Sequence, residues 1–337
     1  MNDSFRRLMS EAARLTQSGD LRAATVAIQA ALHGRAPAAG DDVAVIDIEA
    51  RELRTEAPPP RATAPRGGAF VAGSHAEAGL VRDYKLYVPP GPHGKPLPLV
   101  VMLHGCTQDP DDFAAGTRMN EAALERGFFV LYPAQAQGAN PSRCWNWFRP
   151  EHQGRGRGEP AVLAGMVRQV AKHHAIDPAR VHVAGLSAGG AMAAILGAAY
   201  PELFAAVGVH SGLPVGSAHD LKSAFAAMKE GAADGAARHA PPTIVFHGDR
   251  DLTVHPINGE RVVAGRAGAE PEVQRGRDHT RRVYRDAVGR VVAEHWTVHG
   301  AGHAWSGGSP RGSYTDPRGP DATQEMLRFF FAAGARG

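Results

Sequence analysis

A serine between two glycines, in Gly185-Leu186-Ser187-Ala188-Gly189, is the residue of this sequence best placed to act as a nucleophile. An apolar, β-branched run that ends at Ala184 precedes it, and a run of small residues from Gly190 follows it. This order predicts a strand, a sharp turn and a helix, with the serine hydroxyl exposed at the turn. The glycines suit the turn because bulkier residues there would collide with the strand and helix. Such a serine typically attacks a carbonyl carbon.

A serine nucleophile needs a base to take its proton and a carboxylate to orient that base. Both follow Ser187 in the order acid, then histidine, and each comes just after a predicted strand. Asp249 and Asp251 compete for the role of the acid, and we favour Asp251. Asp249 follows a glycine and is suited to hydrogen bonds within its own turn. His303, approached through a glycine-rich segment, is the favoured base. Three other histidines that end predicted strands are interpreted as structural: His104, His247 and His299.

The oxyanion that forms during attack on a carbonyl needs two backbone N–H donors. We expect one from Ala188, the residue after the nucleophile. We expect the other from Cys106, in the loop that follows an early strand and begins at His104. The chain has two cysteines, so the thiol of Cys106 is either free or bonded to Cys144.

The elements that must position these residues alternate between strand and helix from residue 67 onward. The alternation predicts an α/β fold with a mostly parallel sheet covered by helices on both faces. The carboxyl ends of parallel strands open on one edge, so loops that are distant in sequence can converge there. Predicted strands are 68–73, 81–88, 97–103, 128–132, 181–184, 205–210, 243–248, 281–285 and 291–298. Predicted helices are 113–126, 160–174, 190–200 and 321–333.

The chain divides into three segments by composition. Residues 1–34 predict an amphipathic helical hairpin, 35–66 an Ala/Pro-rich linker, and 67–337 the catalytic domain. The hairpin could pack on the main domain, cover the mouth of the site or form a homodimer. Charged residues interrupt the N-terminus, so no signal peptide is recognised, and the sequence predicts a cytoplasmic location unless a leader has been removed.

Composition excludes several other classes of protein. The net charge of +3 is small for 337 residues and no basic block stands out, so nucleic acid is not an expected partner. No apolar stretch reaches the length of about 18 residues that a membrane span requires. Two cysteines do not fit a zinc motif, and neither a metal nor a cofactor is expected.

Six motifs, spread from about Tyr84 to Phe331, give the sequence a family resemblance. They are Leu103-His104-Gly105-Cys106-Thr107-Gln108, Cys144-Trp145-Asn146-Trp147-Phe148, Asp177-Pro178-Ala179-Arg180-Val181, Gly185 to Gly190, His247-Gly248-Asp249-Arg250-Asp251 with Val254, and Gly302-His303-Ala304-Trp305. Together they resemble the polyhydroxybutyrate depolymerase family of esterases, which are related to feruloyl and acetylxylan esterases.

The resemblance implies an α/β-hydrolase fold and cofactor-free hydrolysis of esters by Ser187, Asp251 and His303. It also implies a disulfide between Cys106 and Cys144. Three tryptophans are identified by it as an aromatic lining for an acyl chain or phenolic ring, with core packing as the alternative: Trp145, Trp147 and Trp305. Many members of the family are secreted, whereas this chain shows no recognisable leader.

The expected function is therefore hydrolysis of a 3-hydroxybutyrate polyester or its oligomers. Two other hypotheses remain open from the sequence. One is a feruloyl or acetylxylan esterase with the same triad. The other is a non-catalytic polymer-binding protein that docks through the N-terminal helices.

Overall fold

The computed structural model describes residues 67–232, 241–266 and 270–333. The predicted helical hairpin (1–34), the linker (35–66) and the homodimer contact that the hairpin could form lie outside these residues. Among the helices within them, none is both long and apolar enough to cross a membrane.

A large sheet forms the centre of the described region. Its strands are β1 (Ala69–Glu77), β2 (Leu80–Val88), β3 (Leu97–Leu103), β4 (Phe129–Pro133), β5 (Ile176–Leu186), β6 (Ala206–His210), β7 (Thr243–Gly248), β8 (Glu272–Arg275), β9 (His279–Arg285) and β10 (Val291–Val298). Their spatial order is β1-β2-β4-β3-β5-β6-β7-β10-β9-β8. Pairing from β4 through β10 is parallel, whereas β1, β2, β8 and β9 pair antiparallel at the two edges. The mostly parallel sheet predicted from the sequence is confirmed.

Helices cover both faces of this sheet. They are α1 (Pro110–Thr117), α2 (Met119–Arg126), α3 (Gly158–His173), α4 (Ala188–Ala199), α5 (Leu221–Glu230), α6 (Ile257–Val263) and α7 (Ala322–Ala333). Alternate residues of β5 point to opposite faces, so Val183 packs in the core beneath α3 and α4, and Ala184 packs in the core beneath α1, α2 and α7. Each fully buried aliphatic side chain contributes about 1.5–3 kcal/mol.

The single helix predicted at 113–126 is two helices in the structure. Arg118 separates α1 from α2 and has a left-handed backbone, with φ of 56°. The carbonyl of Thr117 accepts a hydrogen bond from the hydroxyl of Thr323, and the hydroxyl of Thr117 donates to the carbonyl of Phe113. These tertiary and local bonds compete with a continuous helical ladder, which residue periodicity does not reveal.

A short second sheet lies near the carboxyl end of the large one. Trp305–Ser306 (β11) pairs in parallel with Thr315–Asp316 (β12). The two strands close the segment that carries His303, because the amide of Trp305 also donates to the carbonyl of Tyr314.

The connection from β5 to α4 is the tight turn that the two glycines predict. A Cβ atom at Gly189 would collide with the carbonyl oxygens of Leu103 and His104 on the neighbouring strand. A Cβ atom at Gly185 would collide with the backbone of Gly189. The absence of side chains therefore lets β5, α4 and the end of β3 approach closely around Ser187.

Candidate active site

Ser187 occupies the turn between β5 and α4 in a strained backbone conformation, with φ of 58° and ψ of −119°. L-residues other than glycine rarely adopt this region, and such strain is concentrated at functional sites. The amide of Ser187 donates to the carbonyl of His210 at 2.8 Å, and its carbonyl accepts from the amide of Ala191 at 3.0 Å. These two bonds hold the strained residue between the sheet and the helix.

Asp251 and His303 form a direct hydrogen bond. The Nδ1 atom of His303 donates to Oδ2 of Asp251 at 2.7 Å. The other oxygen, Oδ1, accepts from the amides of Thr253 and Val254, each at 2.9 Å. Burial by itself would raise the pKa of Asp251, but the nearby imidazoles of His247 and His303 and the hydrogen bond from the Val254 amide outweigh it. The net effect lowers the pKa well below its ordinary value, so the carboxylate is charged at neutral pH.

Asp249, the alternative acid, has a different set of partners. Its carboxylate accepts from the ring of His299 at 3.0 Å and from the amide of Gly300 at 2.7 Å. It thus fixes the start of the loop that leads to His303, and it has no bond to His303 itself within the described residues.

Ser187 and His303 line the same cavity of about 190 Å³, together with Gln108, Thr253 and Tyr314. Within the described part of the chain, no hydrogen bond joins the Ser187 hydroxyl to His303. Catalytic hydrogen bonds in unliganded sites are often long and shorten when substrate binds. The cavity places a base and a hydroxyl beside the same volume, which is the arrangement that proton transfer requires.

The two amides predicted for the oxyanion lie beside a second cavity, which Ser187 also lines. Around Cys106 the neighbouring amides are already used: Gly105 donates to Oε1 of Gln108 at 2.9 Å, and Thr107 donates to the carbonyl of Ser142 at 2.7 Å. Among the described residues, the amides of Cys106 and Ala188 have no acceptor. Two unpaired donors at a strand end and a helix N-terminus suit a developing negative charge.

The loop that carries Cys106 is tied covalently to the loop that carries Cys144. The two residues form a disulfide, as the resemblance implies. The backbone bond from Thr107 to Ser142 provides a second connection between the same loops. The position of the Cys106 amide is thereby fixed relative to residues 140–148.

A buried carboxylate, Glu159 at the start of α3, organises residues 135–146 from beneath. Its oxygens accept from Nε2 of Gln135 at 2.6 Å and from the amide and Nδ2 of Asn146, each at 2.8 Å. Arg82, itself buried, lies 3.4 Å away and supplies the opposite charge. We assigned no role to Glu159 from the sequence, although its charge at the head of an apolar helix was an available signal.

Two of the three tryptophans predicted to line the site lie in the core instead. Trp145 is fully buried, and its Nε1 donates to the carbonyl of His104 at 3.1 Å. Trp305 is fully buried between Phe113 and His210, and its Nε1 donates to Thr323 at 3.1 Å. Neither borders the two cavities beside Ser187. Both rings pack in the core, and each indole N–H donates to a buried acceptor. The expectation that Trp145 and Trp305 line the site is therefore wrong.

Trp147 lines the larger cavity, of about 280 Å³, whose wall is mostly apolar. One side of this cavity is α5, a helix that we did not predict from the sequence. Four apolar residues of α5 border it: Leu221, Ala224, Phe225 and Met228. Their spacing of three, four and seven residues after an N-cap, Asp220, was the missed signal. Leu221 and Phe225 are more than half exposed, so this wall is open to solvent.

His104 supports the oxyanion loop from inside the core. Its Nδ1 donates to the carbonyl of Gly105 at 2.7 Å, and its Nε2 accepts from the amide of Gln135 at 3.1 Å. Burial lowers the pKa of His104, so the ring stays neutral with this tautomer. Within the described residues, no group of three or more His, Cys, Asp or Glu side chains could hold a metal ion.

The depressed pKa of Asp251 predicts an acid-dependent loss of stability. A carboxylate with a lowered folded-state pKa stabilises the fold above its unfolded pKa, of about 4, and loses that contribution as pH falls. We expect Asp251→Asn to lower the free energy of unfolding by about 1–3 kcal/mol at pH 7. The difference in the free energy of unfolding between the variant and wild type should be smaller at pH 3 than at pH 7. Urea titrations at both pH values measure it, and a difference that is constant with pH would contradict the electrostatic account.

Comparison with known proteins assigns this chain to a family. Residues 82–266, more than half of the chain, match the Esterase PHB depolymerase family. The chain is 35% identical over 236 residues to poly(3-hydroxyalkanoate) depolymerase C of Paucimonas lemoignei, covering 63% of this chain and 56% of that protein. It is 30% identical over 249 residues to poly(3-hydroxybutyrate) depolymerase of Ralstonia pickettii, covering 66% and 50% respectively. The chain thus spans about half the length of these curated relatives.

A solved structure shares the fold. Acetyl xylan esterase from Aspergillus awamori superposes with a TM-score of 0.61 at 20% identity, covering 74% of this chain and 94% of that one. The likeness confirms the α/β-hydrolase fold predicted from the sequence. With this fold and the match over residues 82–266, the chain belongs to the Esterase PHB depolymerase family.

Proposed function

We propose that the protein is a serine esterase that hydrolyses carboxylic esters through a Ser187-His303-Asp251 triad and an acyl-enzyme. The observation that carries the proposal is the buried Asp251–His303 hydrogen bond beside a cavity that Ser187 also lines. Acyl transfer needs a nucleophilic serine, an imidazole base and a carboxylate that orients the base, and this chain has all three at one edge of the sheet.

In the proposed mechanism, Nε2 of His303 takes the proton of Ser187 as Oγ attacks the ester carbonyl carbon. The carbonyl oxygen becomes an oxyanion and accepts hydrogen bonds from the amides of Cys106 and Ala188. Asp251 stabilises the imidazolium, which then gives its proton to the departing alcohol. Water attacks the acyl-enzyme by the same route, and Ser187 is regenerated with release of the acid.

We propose a 3-hydroxyalkanoate ester, as polymer or oligomer, for the substrate. Two cavities flank Ser187, and the larger one has a mostly apolar wall. A polyester presents the same short aliphatic repeat on the acyl and alcohol sides of the bond, so it can occupy both. The family match, and relatives named as depolymerases of such polyesters, support this substrate class.

A second candidate is a feruloyl or acetylxylan esterase with the same triad. The observation that favours it is the aromatic part of the larger cavity, where Trp147, Phe148 and Phe225 lie. A phenolic ring could pack against these side chains at the ring separations that aromatic pairs prefer.

Replacement of the nucleophile is the first test. Ser187→Ala should lower kcat on para-nitrophenyl butyrate by several orders of magnitude, because no other hydroxyl replaces Oγ. A fluorophosphonate probe should label wild type at Ser187 and should not label the variant. Ser74→Ala, an exposed serine on β1, is the control and should behave as wild type.

Near-full turnover by Ser187→Ala would exclude this mechanism. Wild-type protein that neither turns over esters nor reacts with the probe would favour the non-catalytic, polymer-binding hypothesis.

Truncation of the α5 wall tests the substrate class. Phe225→Ala should raise KM for hydroxybutyrate oligomers by about tenfold with little change in kcat, because apolar contact is lost on one side of the bound chain. Val288→Ala removes an exposed apolar side chain in the turn between β9 and β10 and should leave KM unchanged. Equal KM values for the two variants would show that α5 does not contact substrate. A wild-type kcat/KM that is higher on methyl ferulate than on the oligomers would favour the second candidate.

A further inference from the structure

A second imidazole contacts the carboxylate of Asp251. Nε2 of His247, the penultimate residue of β7, lies 3.4 Å from Oδ2 of Asp251, the same oxygen that accepts from His303. Nε2 of His247 also lies 2.9 Å from the carbonyl oxygen of Val254. The side chain is almost completely buried. From the sequence we interpreted His247 as structural, and the proposed mechanism does not use it.

The surroundings of the ring fix its proton on Nε2. Both neighbours of Nε2, a carbonyl and a carboxylate, are acceptors, so this nitrogen must be the donor. Nδ1 is buried and has no hydrogen-bond partner among the described residues. A Cβ atom at Gly259 of α6 would lie only 2.9 Å from Nδ1, so the glycine backbone closes off that side. A proton on Nδ1 would be buried without an acceptor, so the surroundings favour the tautomer that carries its proton on Nε2.

An unpaired buried nitrogen is a cost that an apolar side chain would avoid. Unlike an apolar side chain, His247 has an Nε2 proton that points at the loop between Gly248 and Val254. Asp251 thus accepts three hydrogen bonds, from two amides at Oδ1 and from His303 at Oδ2, and the Nε2 atom of His247 makes a fourth, longer contact with Oδ2. A carboxylate surrounded in this way cannot rotate without breaking several of these contacts.

We propose that His247 is a positioning residue that holds Oδ2 of Asp251 towards His303 and limits the charge that this oxygen offers to the imidazole. This inference rests on the proposed function, because it assigns a role in acyl transfer by Ser187. The Nε2 proton of His247 draws on the negative charge of Oδ2, so less of that charge acts on the Nδ1 proton of His303.

Two other titratable groups face His247, and both are neutral. His210 on β6 and His295 on β10 are fully buried, and burial lowers the pKa of each to about 3. Neither ring therefore carries a charge beside His247 in the pH range of an ester assay, and Asp251 stays ionised throughout that range.

Three substitutions of one residue test the proposal. His247→Leu and His247→Asn remove the donor or withdraw it from Oδ2, whereas the longer His247→Gln keeps an N–H near the position of Nε2. We expect His247→Leu and His247→Asn to lower kcat about tenfold with KM little changed. On the acid side of the pH profile (the acid limb), the pH at which kcat/KM is half-maximal should rise by about half a pH unit. His247→Gln should recover both properties. If His247→Leu does not fold, the contrast between His247→Asn and His247→Gln decides.

His182→Leu is the matched control. His182 is a buried neutral histidine on β5, stacked on Phe330, and neither ring nitrogen has a partner among the described residues. Its replacement should change thermal stability without moving the acid limb. The proposal would be overturned if His247→Leu, His247→Asn and wild type had the same kcat and the same pH profile of kcat/KM on the acid side. His247 would then be a packing residue.

A readout that needs no turnover separates this inference from the proposed function. The His303 Nδ1 proton can be followed by proton NMR, through its downfield chemical shift, in a pH titration of wild type and variants. If wild type does not hydrolyse esters, the proposed function fails. An unchanged His303 titration in His247→Asn would overturn the positioning role independently.

Discussion

The parallel pairing of β3, β5, β6, β7 and β10 is the constraint on which the rest of this structure depends. It sends the carboxyl ends of these strands to one edge of the sheet, although their loops are far apart in the chain. Ser187 follows β5, Asp251 follows β7, His303 follows β10 and Cys106 follows β3. A register shift of one residue in any of these pairs would turn the strand's side chains to the opposite face and displace its loop.

Loops at a strand edge are mobile unless other contacts hold them, and here buried polar groups supply those contacts. Glu159 fixes the loop of Asn146, the disulfide fixes Cys106, and Asp249 fixes the approach to His303. His210 links two loops at once, because its carbonyl accepts from Ser187 and its Nε2 accepts from the amide of Ser306. Donors and bases held in this way need little reorganisation when charge develops, which is the main source of electrostatic catalysis.

Much of this arrangement could be predicted because its signals are local. The glycines around Ser187, the order of acid and histidine after it, and the strands of the sheet are all written in short stretches of sequence. The burial of Trp145 and Trp305 was not predictable in the same way, because the sequence around a tryptophan does not show whether its ring faces a cavity or the core. The break at Arg118 depends on a bond from Thr323, which is distant in sequence. The α5 wall was predictable from its spacing and was missed.

In the proposed mechanism, Ser187, His303 and the amides of Cys106 and Ala188 act on one reacting group. A crystal structure of the protein treated with an alkylphosphonate ester tests this most directly, because the adduct has the shape of the tetrahedral intermediate. We expect phosphorus bonded to Oγ of Ser187, with a phosphonyl oxygen at about 3 Å from both amides and Nε2 of His303 facing the adduct. An adduct on another residue, or a phosphonyl oxygen directed away from both amides, would contradict it.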